Sequence, residues 1–294
     1  MDGKTSLTDF RVMARNPKNQ LLMVYADVTE AAKQLERNHL CGPAAGYVQG
    51  EALAGVALLG KELGEPDQTV TFKMDVDGPI GGFLVEASGT GGLRGYTKTK
   101  VIASLDDAGA KDPLSALGTT GHVEIIRSAP GHLLDSAIQE VTPPSVGKAV
   151  EQYYLGSLQR PAAVRIHAES RDGYLAASRA LMVECMPDGN MQEFFRIREA
   201  LGSEAIGEML ENAAGIGELA AGLGLTAEDA GTRPLQFSCH CSMERVEGML
   251  AGLPKAELEA MLNENRPFEI FCHLCGRGYT VVPGRINAIL TSKE

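Results

Sequence analysis

The chain has 294 residues, 44% of them hydrophobic and 5% aromatic, with 34 glycines and no tryptophan. That length suits one large domain plus one or two small ones. The formal net charge of −11 argues against a nucleic-acid binder, which presents a basic surface, and suits a soluble protein that resists self-association.

Residues 9–14 and 20–26 are two apolar runs around Asn16-Pro17-Lys18-Asn19, which predicts a β-hairpin. Residues 28–38 space apolar positions between charges and predict a helix. Pro43 starts a second helix that runs to about Leu63. It is so rich in Ala, Leu and Gly that burial on most sides is expected. Cys41-Gly42-Pro43 is half of a thioredoxin-type motif, but Ala44 stands next and the second cysteine is missing. Redox catalysis is not expected there. Residues 69–76 alternate cleanly and predict a strand, Asp77-Gly78-Pro79 a turn, and 80–87 a further strand. The Gly-rich stretch from Ser88 to Tyr96 lacks the Gly-Lys-Ser/Thr ending of a phosphate loop, so a hairpin turn is expected.

His122 to Ile126 reads as a strand, 127–144 (with Pro130, Pro143 and Pro144) as a loop, and 145–156 as a helix. Strands follow at about 163–168 and 175–185. His39, His122, His132 and His167 stand singly and are read as structural. With no Ser-His-Asp or paired-carboxylate arrangement, no catalytic residue is assigned and no enzyme is expected. Runs of strands broken by a few helices argue for an α+β domain. Composition shifts after Pro187-Asp188-Gly189. Residues 190–201 predict a helix, and Ser203 caps another, with Ile206, Met209, Leu210 and Ala213 on one face. Gly202, Gly207, Gly215, Gly217, Gly222 and Gly224 interrupt the stretch, and each glycine inside a helix costs about 1 kcal/mol against alanine. The predicted organisation is an α+β domain over 1–187, a poorly stabilised helical linker over 188–230, and a small module over 231–294.

That last module holds Cys239 and Cys241, then Cys272 and Cys275: C-x-C, thirty residues, C-x-x-C. Pairing of this kind argues against four unrelated buried thiols. Two close pairs on separate segments can converge on one tetrahedral ion, and zinc takes four thiolates at about 2.3 Å. Gly276 suits the tight knuckle after the second pair. Between the pairs, Val246, Met249 and Leu250, then Leu258, Met261 and Leu262, mark a helical pattern broken at Gly252-Leu253-Pro254. Tyr279 to Val282 reads as a short strand. A segment this small is marginal for an unaided core, whereas a structural zinc contributes about 10–16 kcal/mol in small peptides. The module is therefore expected to fold with zinc and to be largely unfolded without it. Four cysteines leave no open position for catalysis.

The N-terminal residues show no apolar signal core, and no stretch reaches the roughly 18 apolar residues of a membrane span. A cytoplasmic, reducing location is expected, and six cysteines in a chain this long make no disulfide scaffold. Cys41 and Cys185 are read as buried small hydrophobes. Oxidation of the clustered thiols would remove the metal ligands. Cys239 with Cys241, and Cys272 with Cys275, are each close enough to form a disulfide, and the C-x-C one is tight enough to be reducible again. Loss of the zinc fold would withdraw support from 188–230 and expose an apolar face, a candidate binding surface for unfolded protein.

Over nearly its whole length the chain resembles the redox-regulated chaperones of the heat shock protein 33 family. The resemblance is carried by Phe237-Ser-Cys-His-Cys-Ser-Met-Glu-Arg-Val246 and Phe268-Glu-Ile-Phe-Cys-His-Leu-Cys-Gly276. Asp77-Gly-Pro-Ile-Gly-Gly, Gly91-Gly-Leu-Arg-Gly-Tyr96 and Leu181-Met-Val-Glu-Cys-Met-Pro-Asp-Gly189 add to it. One departure is Ser157-Leu-Gln159, where the family often shows Ser-Glu-Gln. The resemblance implies an α+β domain, a metastable helical linker and a zinc domain with Cys239, Cys241, Cys272 and Cys275 as ligands. It implies a cytoplasmic, ATP-independent holdase, inactive when reduced and zinc-bound. The oxidised, zinc-free form would dimerise and hold unfolding clients, without nucleic acid or membrane as partner. Two rival expectations are a purely structural zinc module that binds protein or nucleic acid, and a thiol–disulfide oxidoreductase using Cys272-His-Leu-Cys275.

Overall fold

A computed structural model describes residues 8–107 and 112–292, in two units that meet in sequence between Ser238 and Cys239. In the first unit, β1 (Asp9–Asn16) and β2 (Leu21–Asp27) form the expected hairpin, pairing from Phe10↔Asp27 to Asn16↔Leu21. The turn is closed by Asn16, whose Oδ1 accepts from the Asn19 N–H at 3.0 Å. Helix α1 (Thr29–His39) has no side-chain cap from its own N-cap residue. Asp9 supplies one from β1, accepting from the Glu30 and Ala31 N–H groups at 2.9 and 2.6 Å.

Helix α2 (Pro43–Leu59) begins on its proline, and all its residues except Pro43 and Tyr47 are buried. It is the helix around which the first core assembles. Gly55 permits a close crossing, because a Cβ there would lie 2.5 Å from Val146 Cγ1. Next come β3 (Thr69–Val76), β4 (Gly82–Ser88), β5 (Gly92–Thr97) and the one-turn α3 (Ala103–Asp106). β4 and β5 pair antiparallel, so the Gly-rich stretch is a hairpin as expected. β6 (Gly121–Ala129), β7 (His132–Val141), α4 (Val146–Gly156), β8 (Ala162–Arg171) and β9 (Tyr174–Cys185) follow.

The loop expected over 127–144 is instead the end of β6 and the whole of β7. Pro130 occupies the turn between them, and Pro143 and Pro144 lie beyond the strand. β7 is an edge strand with one partner. Ala137 and Val141 are buried while Leu133, Leu134 and Ile138 are exposed, so its apolar residues fall on both faces and period-2 alternation does not stand out.

The segment after Asp188 folds as α5 (Met191–Leu201), α6 (Glu204–Glu211) and α7 (Ile216–Gly222). Ser203 caps α6, accepting from the Ile206 N–H at 3.5 Å. Four of the six glycines mark helix ends: Gly202 at the C-cap of α5, Gly215 at the N-cap of α7, Gly222 as the last residue of α7, and Gly224 beyond it with φ +71°. The helices cover one face of the sheet. Leu21, Met23 and Tyr25 of β2, with Leu181 and Val183 of β9, point to Phe194, Ile197, Leu201, Ile206, Leu210 and Leu219. The alternate residues, Val24, Ala26, Ala180 and Met182, belong to the core around α2. Period-2 alternation thus feeds two cores from the same strands.

β10 (Glu228–Phe237) corrects the expected boundary at 231. It pairs antiparallel with β1, from Asp9↔Leu235 to Arg15↔Glu228 with a bulge at Met13/Ala14, and parallel with β5 at Gln236↔Gly92 and Phe237↔Leu93. Leu235 is buried in the core around α2. Residues 231–237 are therefore sheet, and the second unit starts at Cys239. The ten-stranded sheet has the order β7-β6-β3-β4-β5-β10-β1-β2-β9-β8.

The second unit holds α8 (Met243–Ala251), α9 (Lys255–Asn263), the hairpin of β11 (Phe268–Phe271) and β12 (Gly278–Val281), and α10 (Pro283–Thr291). Gly252-Leu253-Pro254 breaks α8 from α9 as expected. The core of the unit is small: Val246, Leu250, Leu258, Val281, Ile286, Ile289 and Leu290.

Candidate metal centre

The four paired cysteines come from two short loops of the second unit. Cys239 and Cys241 lie just before α8, whose N-cap Ser242 accepts from the Arg245 N–H at 3.3 Å. Cys272 and Cys275 sit in the connection of the β11–β12 hairpin, which the Phe271↔Gly278 pair closes. That connection is a tight knuckle. The Cys275 and Gly276 N–H groups both donate to the Cys272 carbonyl, at 3.3 and 2.8 Å, and the Cys272 N–H donates to the Arg277 carbonyl at 2.9 Å. Gly276 has φ +72°, a conformation that side-chain-bearing residues rarely adopt.

All four Sγ atoms lie within 4.8 Å of one another. Cys239 Sγ is 3.8 Å from Cys272 Sγ, and Cys241 Sγ is 3.3 Å from Cys275 Sγ. A tetrahedral ion with bonds of about 2.3 Å needs sulfurs about 3.8 Å apart, so the set fits a four-thiolate metal ion. Cys275 is fully buried and the other three are partly buried. Among the described residues this is the grouping of His, Cys, Asp or Glu able to hold a metal. His240 and His273 neighbour these cysteines in sequence but are not part of the grouping.

The electrostatics of the cluster are uneven. Burial pushes the thiols of Cys272 and Cys275 up. At Cys241 burial is opposed by hydrogen bonds from Tyr279 and the neighbouring thiols, which hold it below its ordinary value. The Tyr279 hydroxyl donates to Cys241 Sγ at 3.0 Å. A metal ion bound to the four sulfurs would replace the thiol protons. Tyr279 is the residue that sequence reasoning missed, because only the Ile270↔Tyr279 pairing of β11 and β12 brings it to the knuckle.

Cys41 and Cys185 belong to the first unit. The Cys41 thiol donates to Gln49 Oε1 at 3.1 Å, and burial pushes its pKa up to about 11, so it is no reactive thiolate. Cys185 is buried under α5–α7. No disulfide joins any of the six cysteines. No helix among the described residues is long and apolar enough to cross a membrane.

Fold and site define a class: a mixed α/β body carrying a separate compact module whose four thiols are placed for one metal ion. The Hsp33 protein family model matches residues 9–282, and the chain belongs to that family of chaperones. Relatives named 33 kDa chaperonin, from Staphylococcus aureus strains Newman and USA300, are each 26% identical over 97% of this chain and 98% of their own length. In fold the chain is similar to the crystal structure of the 33 kDa chaperonin (heat shock protein 33 homolog) from Thermotoga maritima. The TM-score is 0.84 at 20% identity, covering 97% of this chain and 99% of that one.

Proposed function

We propose that this chain is a redox-regulated, ATP-independent holdase. It would be held inactive by zinc on Cys239, Cys241, Cys272 and Cys275, and activated when those thiols are oxidised. The observation that carries the reading is the convergence of four thiols within 4.8 Å, in a unit whose own apolar core is small, in a chain of a chaperone family. Bound zinc would supply the cross-link that such a core lacks.

The chemistry needs a two-electron oxidant, and hydrogen peroxide serves as the probe. Two cysteine thiols and one hydrogen peroxide give one disulfide and two waters: a two-electron oxidation of one thiol to a sulfenic acid releases the first water, and condensation with the second thiol releases the other. The disulfides are assigned as Cys239–Cys241 and Cys272–Cys275. A disulfide sulfur is no anionic donor, so the oxidised set cannot keep a zinc ion. With that cross-link gone, the second unit unfolds, and the metastable linker over 188–230 lifts its apolar residues from the sheet. Phe194, Ile197 and Leu201 on one side, and Leu21, Met23 and Tyr25 on the other, become a surface for the apolar segments of unfolding proteins. In this reading the oxidised protein is a homodimer, works in the cytoplasm, binds neither nucleic acid nor membrane, and turns over no substrate.

The test follows zinc release, disulfide mapping and suppression of aggregation of a heat-unfolding client enzyme, before and after peroxide treatment at raised temperature. Release of about one ion per chain together with gained suppression is expected. Release without gained suppression favours a structural zinc module, and catalytic turnover of a disulfide substrate favours an oxidoreductase.

A further inference from the structure

The first unit contains a cavity of about 380 Å³ between α2, α4, β8 and α5, within the usual range for small-molecule sites. Glu51 of α2 lines it and is only 9% exposed. Among the described residues its carboxylate has no hydrogen-bond donor and no ion-pair partner. Burial alone pushes its pKa up to about 7. A buried carboxyl without a partner is costly unless something else supplies one.

The other charges of the lining are mostly positive. Lys148 of α4 makes no ion pair among the described residues. Arg198 of α5 meets Glu151 only at 3.7 Å. Arg165 of β8 spends one Nη on the carbonyls of Leu201 and Ser203, at 2.7 and 2.9 Å. Glu151 is further occupied as acceptor of the Val164 N–H at 2.8 Å. A simple cation would have to pass these groups, and a simple anion would leave Glu51 unpaired beside a like charge. The apolar remainder, which includes Val164, Ile166 and Leu201, suits an aliphatic body.

We propose that this cavity is a binding site for a small amino-acid-like zwitterion. Its ammonium would pair with Glu51, its carboxylate with Lys148 and Arg198, and its aliphatic part would rest on β8 and α5. The site contains no cysteine, but α5 lies in the segment that the redox reading lifts from the sheet, so the site belongs to the reduced protein and is tested there.

The experiment is calorimetric titration of the full-length, reduced, zinc-loaded protein at pH 8 with three probes. L-leucine carries both charges, 4-methylpentanoate lacks the ammonium, and 3-methylbutylamine lacks the carboxylate. Saturable binding of L-leucine is expected, with each partial probe at least about tenfold weaker, as for the loss of one charge-assisted hydrogen bond. Glu51→Gln, which keeps the shape and removes the charge, should weaken L-leucine by a similar factor. Gly147→Phe grows into the cavity from α4, where a Cβ meets nothing nearer than 3.7 Å. It should abolish binding and decides the matter if the first variant fails to fold. Three results would each overturn the proposal: no saturable binding of L-leucine, partial probes binding as tightly as L-leucine, or undiminished binding by either folded variant.

Discussion

Tyr279 shows what a single side chain adds to the cysteine cluster. Its hydroxyl donates to Cys241 Sγ at 3.0 Å, and such a bond stabilises a thiolate and orients it toward an ion. Tyr279→Phe removes that donor while keeping the ring on β12. Zinc affinity, measured by competition with a chromophoric chelator, is expected to fall about 10–100-fold, the usual loss for an outer partner of a metal ligand. Unchanged affinity would make the contact incidental. The four cysteines themselves were legible because two close pairs carry their own geometric meaning. Tyr279 was read only as part of a strand, since its partner depends on a register that no local pattern encodes. Glu51 was equally hidden. Within an Ala- and Leu-rich helix it is one charge among apolar neighbours, and only tertiary packing makes it a buried carboxyl.

Among the elements, the helices after Asp188 depend most on context. Each is short, and an isolated helix of that length is unstable in water. What holds them is the buried face of Phe194, Ile197, Leu201, Ile206, Leu210 and Leu219 against β2 and β9. Burying each such side chain is worth about 1.5–3 kcal/mol, an upper estimate from area. Phe194→Ala should cost about 3–5 kcal/mol, as large-to-small core changes do. It is expected to raise proteolysis within 188–230 and to lower the peroxide dose needed for the proposed activation. Unaltered cleavage would show that the segment is held by something other than this face. The helical character of the segment was legible, and so was the Ser203 cap. The sheet face beneath it was not, because Leu21, Met23 and Tyr25 alternate with Leu22, Val24 and Ala26 and either set could have faced the main core. β10 and β7 escaped for related reasons. β10 is mostly exposed, with Leu235 its one buried residue, and β7 is an edge strand with apolar residues on both faces.

Taken as a whole, the chain joins a large, well-filled first unit to a second unit whose core is a handful of side chains. They are linked without a spacer. β10 pairs with β5 up to Phe237, the Ser238 N–H still donates to the Leu93 carbonyl at 3.0 Å, and Cys239 follows. β10 lies beside β1, and β1 beside β2, whose outer face carries α5–α7. Hydrogen exchange of the full-length reduced protein, before and after zinc is stripped with a chelator, tests the central claim most directly. The account predicts that amide protection collapses across 239–292 and falls across 188–230, while β3, β4 and β6 keep theirs. Protection of 239–292 that survives metal removal would contradict it.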